Sequence, residues 1–521
     1  MKAPIQTVKN KLKRKKREPI SIDDITIVDD KSVRKAITAA SLGNALEWFD
    51  FGVYGFLATV LGQMFFPGSD PSIQLIAALA TFSLPFVLRP LGGLIFGVLG
   101  DKYGRQKVLS TTIVMMTIST AGIGLIPSYH NFESWGLWGI IAPCLLLICK
   151  VFQGISVGGE YAGACIFVAE YAPDRRRGFL GSWLDFGSMS GFVVGAGVVI
   201  GLNILMGDEI FHSWGWRIPF LLALPLGMIG IYLRHALEET PAFQKSMQEF
   251  EGKGGAEKKA AKFSFRELLA TQKRGLIVCI GIVFTQNALY YTLLTYMPSY
   301  LQHNLDYTEK DGLWIVIVVI LGLLCVQPLI GYLSDKFGRR LFILLGSFAM
   351  LLLPIPAYYL ITHESLTHLF FGLLILSSIL CSLIGVTAST VPALFPTRYR
   401  YSALTSGYNV AVLVAGLTPA LLALLIKFAQ DAGFYYYLYV PALFLMAVSI
   451  VGISTGFFFR ETANKPLHGA SPTASNLEEA QELLQEHHDG ISEKIDAISA
   501  EIERLQRKRQ DLLDQHPERN D

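Results

Sequence analysis

The sequence predicts an all-α polytopic membrane protein: twelve transmembrane helices as two six-helix bundles, followed by a C-terminal α-helical coiled coil. Three observations predict it. Of 521 residues, 52% are hydrophobic and only 17% charged, where soluble domains carry roughly a quarter of their residues as charges. The apolar residues gather into stretches of about twenty, the length a helix needs to cross ~30 Å of hydrocarbon. These runs do not alternate as barrel strands do, so only helices satisfy their backbone polar groups. Finally, one charged motif occurs twice, far apart, which makes the chain double.

Taken in order, residues 1–36 lack an apolar core and read as a basic cytoplasmic tail without a secretory signal. Beside a membrane span, its tract Lys9 to Arg17 is an orientation signal or a contact for anionic membrane lipids, and no nucleic-acid partner is expected. Spans are expected near 37–64, 74–99, 106–127, 138–169, 178–205 and 215–236, the first bundle (37–236). A polar cytoplasmic loop over 237–273 joins it to the second bundle (274–460), with spans near 274–302, 312–333, 341–361, 367–395, 400–427 and 435–459. Lys and Arg alternate between connectors: Lys102, Arg105 and Lys107 share one, Arg175 to Arg177 another, whereas Pro67 to Gln74 has neither. The positive-inside bias therefore puts both termini in the cytoplasm, which requires the even span count. Six cysteines sit singly in apolar segments without metal-ligand spacing and read as packing residues, so no metal and no cofactor is expected.

After a linker over 461–475, residues 476–515 carry Leu477, Leu484, Ile491, Ile498, Leu505 and Leu512 every seven residues. With these as d, the a positions Gln481, His488, Ile495, Ile502 and Arg509 are apolar only in the middle. A heptad kept this long argues for a coiled coil, and its polar a sites for a weak pairing, here as a homodimer. A single amphipathic helix lying on the protein or membrane is the plainer reading.

The doubled motif is Gly97-x-Leu99-x-Asp101-Lys-Tyr-Gly104-Arg105, recurring as Gly331-x-Leu333-x-Asp335-Lys-Phe-Gly338-Arg339. Looser echoes join Glu170-Tyr-Ala-Pro173-Asp-Arg175 to Leu394-Phe-Pro396-Thr-Arg398, and Glu239-Thr240 to Glu461-Thr462. Two sets of six spans in the same order form the parallel-repeat layout of a secondary transporter. The motif resembles the signature of the major facilitator superfamily. The segments Asn44-Ala-Leu-Glu47-Trp48-Phe-Asp50, Arg89-Pro-Leu-Gly-Gly and Gln153-Gly-x-Ser-x-Gly-Gly-Glu160-Tyr161 look like its metabolite–proton symporter family. From Ile20 on, tail included, the chain is similar to that family's osmosensory members. The resemblance implies a bacterial inner-membrane symporter that imports small zwitterionic solutes such as proline, glycine betaine and ectoine with protons, activated by high osmolality. It also implies that Asp101, Arg105, Asp335 and Arg339 latch the cytoplasmic side in one access state.

An ionisable group in hydrocarbon is a functional candidate by default. Glu47, Asp50 and Tyr54 share one face of the first span, and Lys150, Gln153 and Glu160 one face of the fourth. Arg89 lies twelve residues before Asp101, hence about 18 Å deeper at 1.5 Å per residue. Asp185 sits on the fifth span. Glu47, Asp50, Glu160 and Asp185 are therefore the proton-coupling candidates, with Arg89 and Lys150 as their partners or as docking points for a substrate carboxylate. A fixed ionic network that only holds helices together is the competing reading. A crowded ammonium is best held by aromatic faces, and Trp48, Tyr54, Tyr161, Trp183, Tyr290, Tyr291 and Tyr296 are available, with Asn44, Gln153 and Asn287 as polar contacts. Rings in spans also serve plain packing and interfacial anchoring. A dicarboxylate or other organic acid is the alternative cargo, and a non-transporting sensor a remote alternative. No phosphate loop, nucleophile elbow or metal cluster suggests an enzyme.

Overall fold

The computed structural model describes residues 21–66, 71–129, 140–235, 239–240, 244, 248, 270–305, 309–363 and 365–515. The tract Lys9 to Arg17, most of the central loop and the tips of the lysine-free connectors lie outside them. The described chain divides into two compact units, Asp30–Ala470 and a smaller one of the flanking segments up to Asp29 and from Ser471.

The larger unit is helical throughout. Its first half holds α1 (Asp30–Phe56), α2 (Ala58–Phe65), α3 (Pro71–Tyr103), α4 (Arg105–Leu125), α5 (Ile141–Tyr171), α6 (Arg177–Met206) and α7 (Ala223–His235). Its second half holds α8 (Lys273–Tyr290), α9 (Met297–Asn304), α10 (Glu309–Phe337), α11 (Arg339–Leu352), α12 (Pro354–Ile361), α13 (Leu366–Thr390), α14 (Arg400–Ala415), α15 (Thr418–Asp431) and α16 (Val440–Phe458). Among the described residues, nine helices are long and apolar enough to cross a membrane. Two bent pairs, broken before Arg217 by 45° and before Pro354 by 54°, bring the number to eleven. The first span, α1, carries Asn44, Glu47 and Asp50 and is less apolar, but it packs along α6 inside the bundle. It also starts at Asp30, several residues before the expected boundary.

Close helix approach depends on missing side chains. A Cβ on Gly158 would lie 2.3 Å from the Arg89 carbonyl oxygen, and one on Gly191 2.1 Å from that of Ala45. The small residues of the Gln153–Glu160 segment thus let α5 lie directly against α3, and those of α6 let it lie against α1, as in small-residue packing generally. Between the halves, α3 packs on α14 and α6 on α10. Each is a second span against the fifth span of the other half, so the internal repeat is visible in the contacts.

In the smaller unit, β1 (Thr26–Ile27) pairs in parallel with β2 (Thr473–Ala474), and α17 (Leu477–Gln515) follows as one continuous helix. The heptad residues Leu477 to Leu512 all lie on this helix.

Candidate functional site

Deep in the first half, four of the buried charges form two separate pairs. Arg89 Nη2 on α3 lies 3.2 Å from Glu47 Oε1 on α1. One turn further along α1, Asp50 takes the Lys150 ammonium of α5 at 3.3 Å and the Gln153 amide Nε2 at 2.9 Å. Lys150 also sits 3.9 Å from the centroid of the Tyr54 ring. Glu160 and Asp50 lie within electrostatic reach of Glu47. Helical spacing produces this: three residues separate Glu47 from Asp50, and three separate Lys150 from Gln153, so each set points one way. Such pairs survive burial only when each charge is matched and further hydrogen-bonded.

Around the Glu47–Arg89 pair stands a group of rings from both halves. Trp48 meets Tyr290 edge-on at 5.3 Å, Phe86 meets Tyr291 at 6.1 Å, and Phe86 stacks with Phe51 at 5.1 Å. Tyr290 and Tyr291 are adjacent, yet both face the first half. The helix widens there into a π-helical stretch, Tyr291–Tyr296, a distortion common at functional sites. Tyr161 donates a 2.7 Å hydrogen bond to Asp185 Oδ1 and stacks on Tyr408 of α14 at 4.7 Å. Buried side-chain atoms without a hydrogen-bond partner include both Glu47 oxygens, Arg89 Nε and Asp185 Oδ2. Polar capacity is therefore left over among aromatic walls.

Other sequence candidates lie elsewhere or are already engaged. Asn44 donates to the Leu184 carbonyl at 3.1 Å and to the Ser188 hydroxyl, tying α1 to α6. Asn287 donates to Val283 of its own helix at 2.8 Å. Tyr296 packs on Tyr300, and Trp183 between Phe179 and Phe186. Tyr54 donates its hydroxyl to Ala78 and offers its ring to Lys150. Tyr408 was not among the sequence candidates. The repeat register that sets Arg177 against Arg400 also sets Asp185 against Tyr408, and that signal could have found it.

At the end of the bundle where the doubled motifs lie, each motif aspartate caps a helix of the opposite half. Asp101 accepts the backbone N–H groups of Tyr401 (3.3 Å) and Ser402 (2.9 Å) at the start of α14. Asp335 accepts those of Gly178 (2.7 Å) and Phe179 (2.8 Å) at the start of α6. A carboxylate at a helix N-terminus satisfies orphan donors and meets the positive end of the dipole. Arg105 and Arg339 pair with the aspartate of their own motif, at 3.5 and 3.4 Å. The contacts between halves at these aspartates are thus made to backbone amides and, at Asp101, also to the Ser402 hydroxyl at 2.7 Å, while Arg105 reaches across to the Thr397 carbonyl at 2.9 Å. The motif glycines Gly104 and Gly338, with φ of 110° and 92°, allow the sharp turn before each arginine.

Three further buried groups were missed as site residues. Glu170 bridges Arg400 of the other half at 2.5 Å and Arg105 at 3.6 Å, and accepts the Thr240 hydroxyl. Arg177 binds Asp174 and the Lys465 carbonyl. Arg177 and Arg400 stand in basic connectors, yet both are buried. Their echoing Pro173 and Pro396 contexts were the available signal. Outside the spans, Glu239 and Glu461 cap α4 and α11 in equivalent places. Burial lifts the Glu239 carboxyl above its ordinary value. At Glu461 burial pushes the same way, but the amides of Ala463, Arg340, Arg339 and Thr462 outweigh it and hold the carboxyl below.

Comparison with known proteins agrees with this geometry. Residues 35–474 match the model of the sugar (and other) transporter family, and 475–520 that of the osmosensory transporter coiled coil. The glycine betaine/proline/ectoine/pipecolic acid transporter OusA of Dickeya dadantii is 58% identical over 98% of this chain and 100% of its own length. The proline/betaine transporter of Escherichia coli K12 is 59% identical over 97% of this chain and 99% of its own. Among solved structures, the proton:xylose symporter XylE bound to 6-bromo-6-deoxy-D-glucose aligns with a TM-score of 0.67 at 18% identity, over 88% of this chain and 100% of that one. That likeness concerns the fold alone. With two matched halves, a conserved order of spans and relatives alike over nearly its whole length, this chain belongs to the sugar (and other) transporter family, a family of transporters rather than enzymes.

Proposed function

We propose that this chain is a proton-coupled symporter that imports small zwitterionic osmoprotectants, with proline, glycine betaine and ectoine-like solutes as cargo, and that high osmolality activates it. The relatives at 58–59% identity are named for such solutes, and the matched coiled-coil model is osmosensory. We place it in the bacterial inner membrane, with both termini in the cytoplasm and the tail pairing with a second copy. The aspartate-capped end is then the cytoplasmic one. A cavity there is lined by Arg175, Arg176 and Lys336 together with Phe179, Tyr332, Asn464 and the Asp335 already held by helix amides, and its three cations against one carboxylate suit the headgroup of an anionic membrane lipid.

The observation that carries the reading is the Glu47–Arg89 pair among rings of both halves. A proton arriving on Glu47 neutralises the carboxylate and frees the guanidinium. Arg89 then takes the substrate carboxylate in a bidentate hydrogen-bonded pair, and the faces of Trp48, Tyr290 and Tyr291 hold the crowded ammonium. When substrate leaves, the Arg89–Glu47 pair re-forms and expels the proton. Cargo and proton thus enter and leave together. Glu160, within electrostatic reach of Glu47, relays that proton on this reading, Asp185 is engaged by Tyr161, and Asp50 and Lys150 hold helices in place.

A dicarboxylate fits less well. It needs two free cations, but Lys150 is matched by Asp50. Among the described residues the second half buries charges only at Asp335, Arg339 and Arg400, at its capped end. The test is uptake into proteoliposomes under an inward proton gradient, with radiolabelled proline, glycine betaine and succinate. Accumulation of the zwitterions that stops when the gradient is collapsed is the expected result. Accumulation of succinate alone, or uptake indifferent to the gradient, would overturn the reading.

A further inference from the structure

The tail helix does not begin as a free end. Immediately before it, β2 pairs with β1 in register Thr26 to Thr473 and Ile27 to Ala474, with the Thr26 amide donating to Pro472 at 2.8 Å and the Val28 amide to Ala474 at 2.9 Å. The two partners come from opposite ends of the chain. A ladder this short is marginal alone, but it is locked on both sides. Ahead of β1, Ser21 and Asp24 close a 3-10 turn, Ile22–Asp24, through the Ser21 amide at 3.0 Å, and α17 packs against that turn. After β2, Asn476 accepts the Glu479 amide at 2.8 Å, while Glu479 accepts the Ser475 amide at 2.7 Å, fixing the helix start. Beneath the ladder Ile25, Ala474 and Ala480 form a buried cluster, with Leu483 and Leu484 packed on it.

Leu484 is one of the heptad d residues, so its side chain faces the chain's own N-terminal segment rather than open solvent. Leu477, the first d residue, is 56% exposed, and further along the same helix Ile502 and Leu505 are 50% and 56% exposed, so Leu484 is the d residue that the N-terminal segment engages. We infer that residues 21–28 are a built-in partner for the root of the tail, an intramolecular docking segment, and that pairing with a second copy is confined to the seam beyond Leu484. The heptad is then divided between two occupants: the chain's own N-terminal segment at Leu484, and a second tail for the later positions, Ile502 and Leu505 among them.

The full-length protein in proteoliposomes tests this with two sets of cysteines. In Thr26→Cys/Thr473→Cys, with a protease site engineered into the central loop, mild oxidation should leave the two fragments joined after cleavage and before reduction. Fragments that separate, or joining found only between two differently tagged copies, would overturn the docking segment. The second set compares cross-linking between copies at Leu484→Cys and Leu505→Cys. We expect at least about fivefold more at Leu505→Cys, with the gap closing when Val28→Pro removes the strand's second amide donor. Equal linking at both positions without that change would overturn the division of the seam. Neither readout depends on transport, so it stands or falls apart from the cargo assignment.

Discussion

The two halves of the bundle share a backbone plan but not a chemistry. The first half brings paired charges to membrane depth, Glu47 with Arg89 and Asp50 with Lys150; the second brings Tyr290, Tyr291 and Tyr408. In the register that aligns Asp101 with Asp335, Arg89 has Leu323 as its counterpart. The capped ends differ in the same sense. Both aspartates cap a helix of the opposite half, but Glu170, which joins two arginines across the interface, has Ala393 as its counterpart. An internal repeat preserves what holds helices together. It lets diverge the groups that line the two sides of the ring-walled site, charges from one half and rings from the other.

The comparison can be broken most severely at Arg89. Arg89→Gln leaves Glu47 buried and unmatched, and a broken buried pair costs about 3–5 kcal/mol. Proton-driven uptake should fall by about a hundredfold or more at unchanged membrane expression, while Leu323→Met, its counterpart, should fall less than about threefold. Comparable losses at both positions in an initial-rate assay would erase the asymmetry.

Next in size is the second pair, which on this reading is structural. Lys150→Met should lower stability in detergent by about 3 kcal/mol, since Asp50 is left unpaired, and Lys150→Met/Asp50→Asn should recover most of it. A double variant no more stable than the single one, measured by thermal unfolding, would mean that Lys150 serves something other than Asp50.

A smaller effect separates the capped ends. Glu170→Gln should speed alkylation of a cysteine placed at Ala403 by about tenfold, because Arg400 loses its carboxylate and Arg105 is left with that of Asp101. Asp335→Asn should open its own side less, the loss of a helix cap costing about 1 kcal/mol. If the two rates rise equally, Glu170 is not the dominant tie.

The smallest effect is in pH. Glu461 is held below its ordinary value of 4.5, so its stabilisation is present above that value and is lost as pH falls through the lowered one. Glu239 is lifted above it, so its contribution is complete below 4.5 and declines as pH rises through the raised value. Glu461→Gln should therefore show a stability deficit at pH 7 that disappears in acid. Glu239→Gln should show none at pH 7. Matching pH profiles of unfolding for the two variants would contradict the difference between the caps.

Much of this was legible in the residues themselves. Hydrocarbon permits few ionisable groups, so Glu47, Asp50, Arg89, Lys150 and Glu160 stand out without coordinates, and helical spacing alone puts Lys150 and Gln153 on one face. The doubled motif announced the repeat, and the heptad announced the tail helix. Proximity between distant spans was not legible. Nothing local says that Arg89 meets Glu47 while Lys150 meets Asp50, that Tyr408 stacks on Tyr161, or that Arg400 is buried on Glu170.

The sequence by itself determined the class of protein, the repeated order of its helices and several of the charges that must be matched, because each follows from the solvent and from short-range periodicity. Only the tertiary structure decided the partners. Side chains hundreds of residues apart meet through close helix packing, and β1 finds β2 across nearly the whole chain. Such contacts depend on the summed geometry of many helices, which no local window contains.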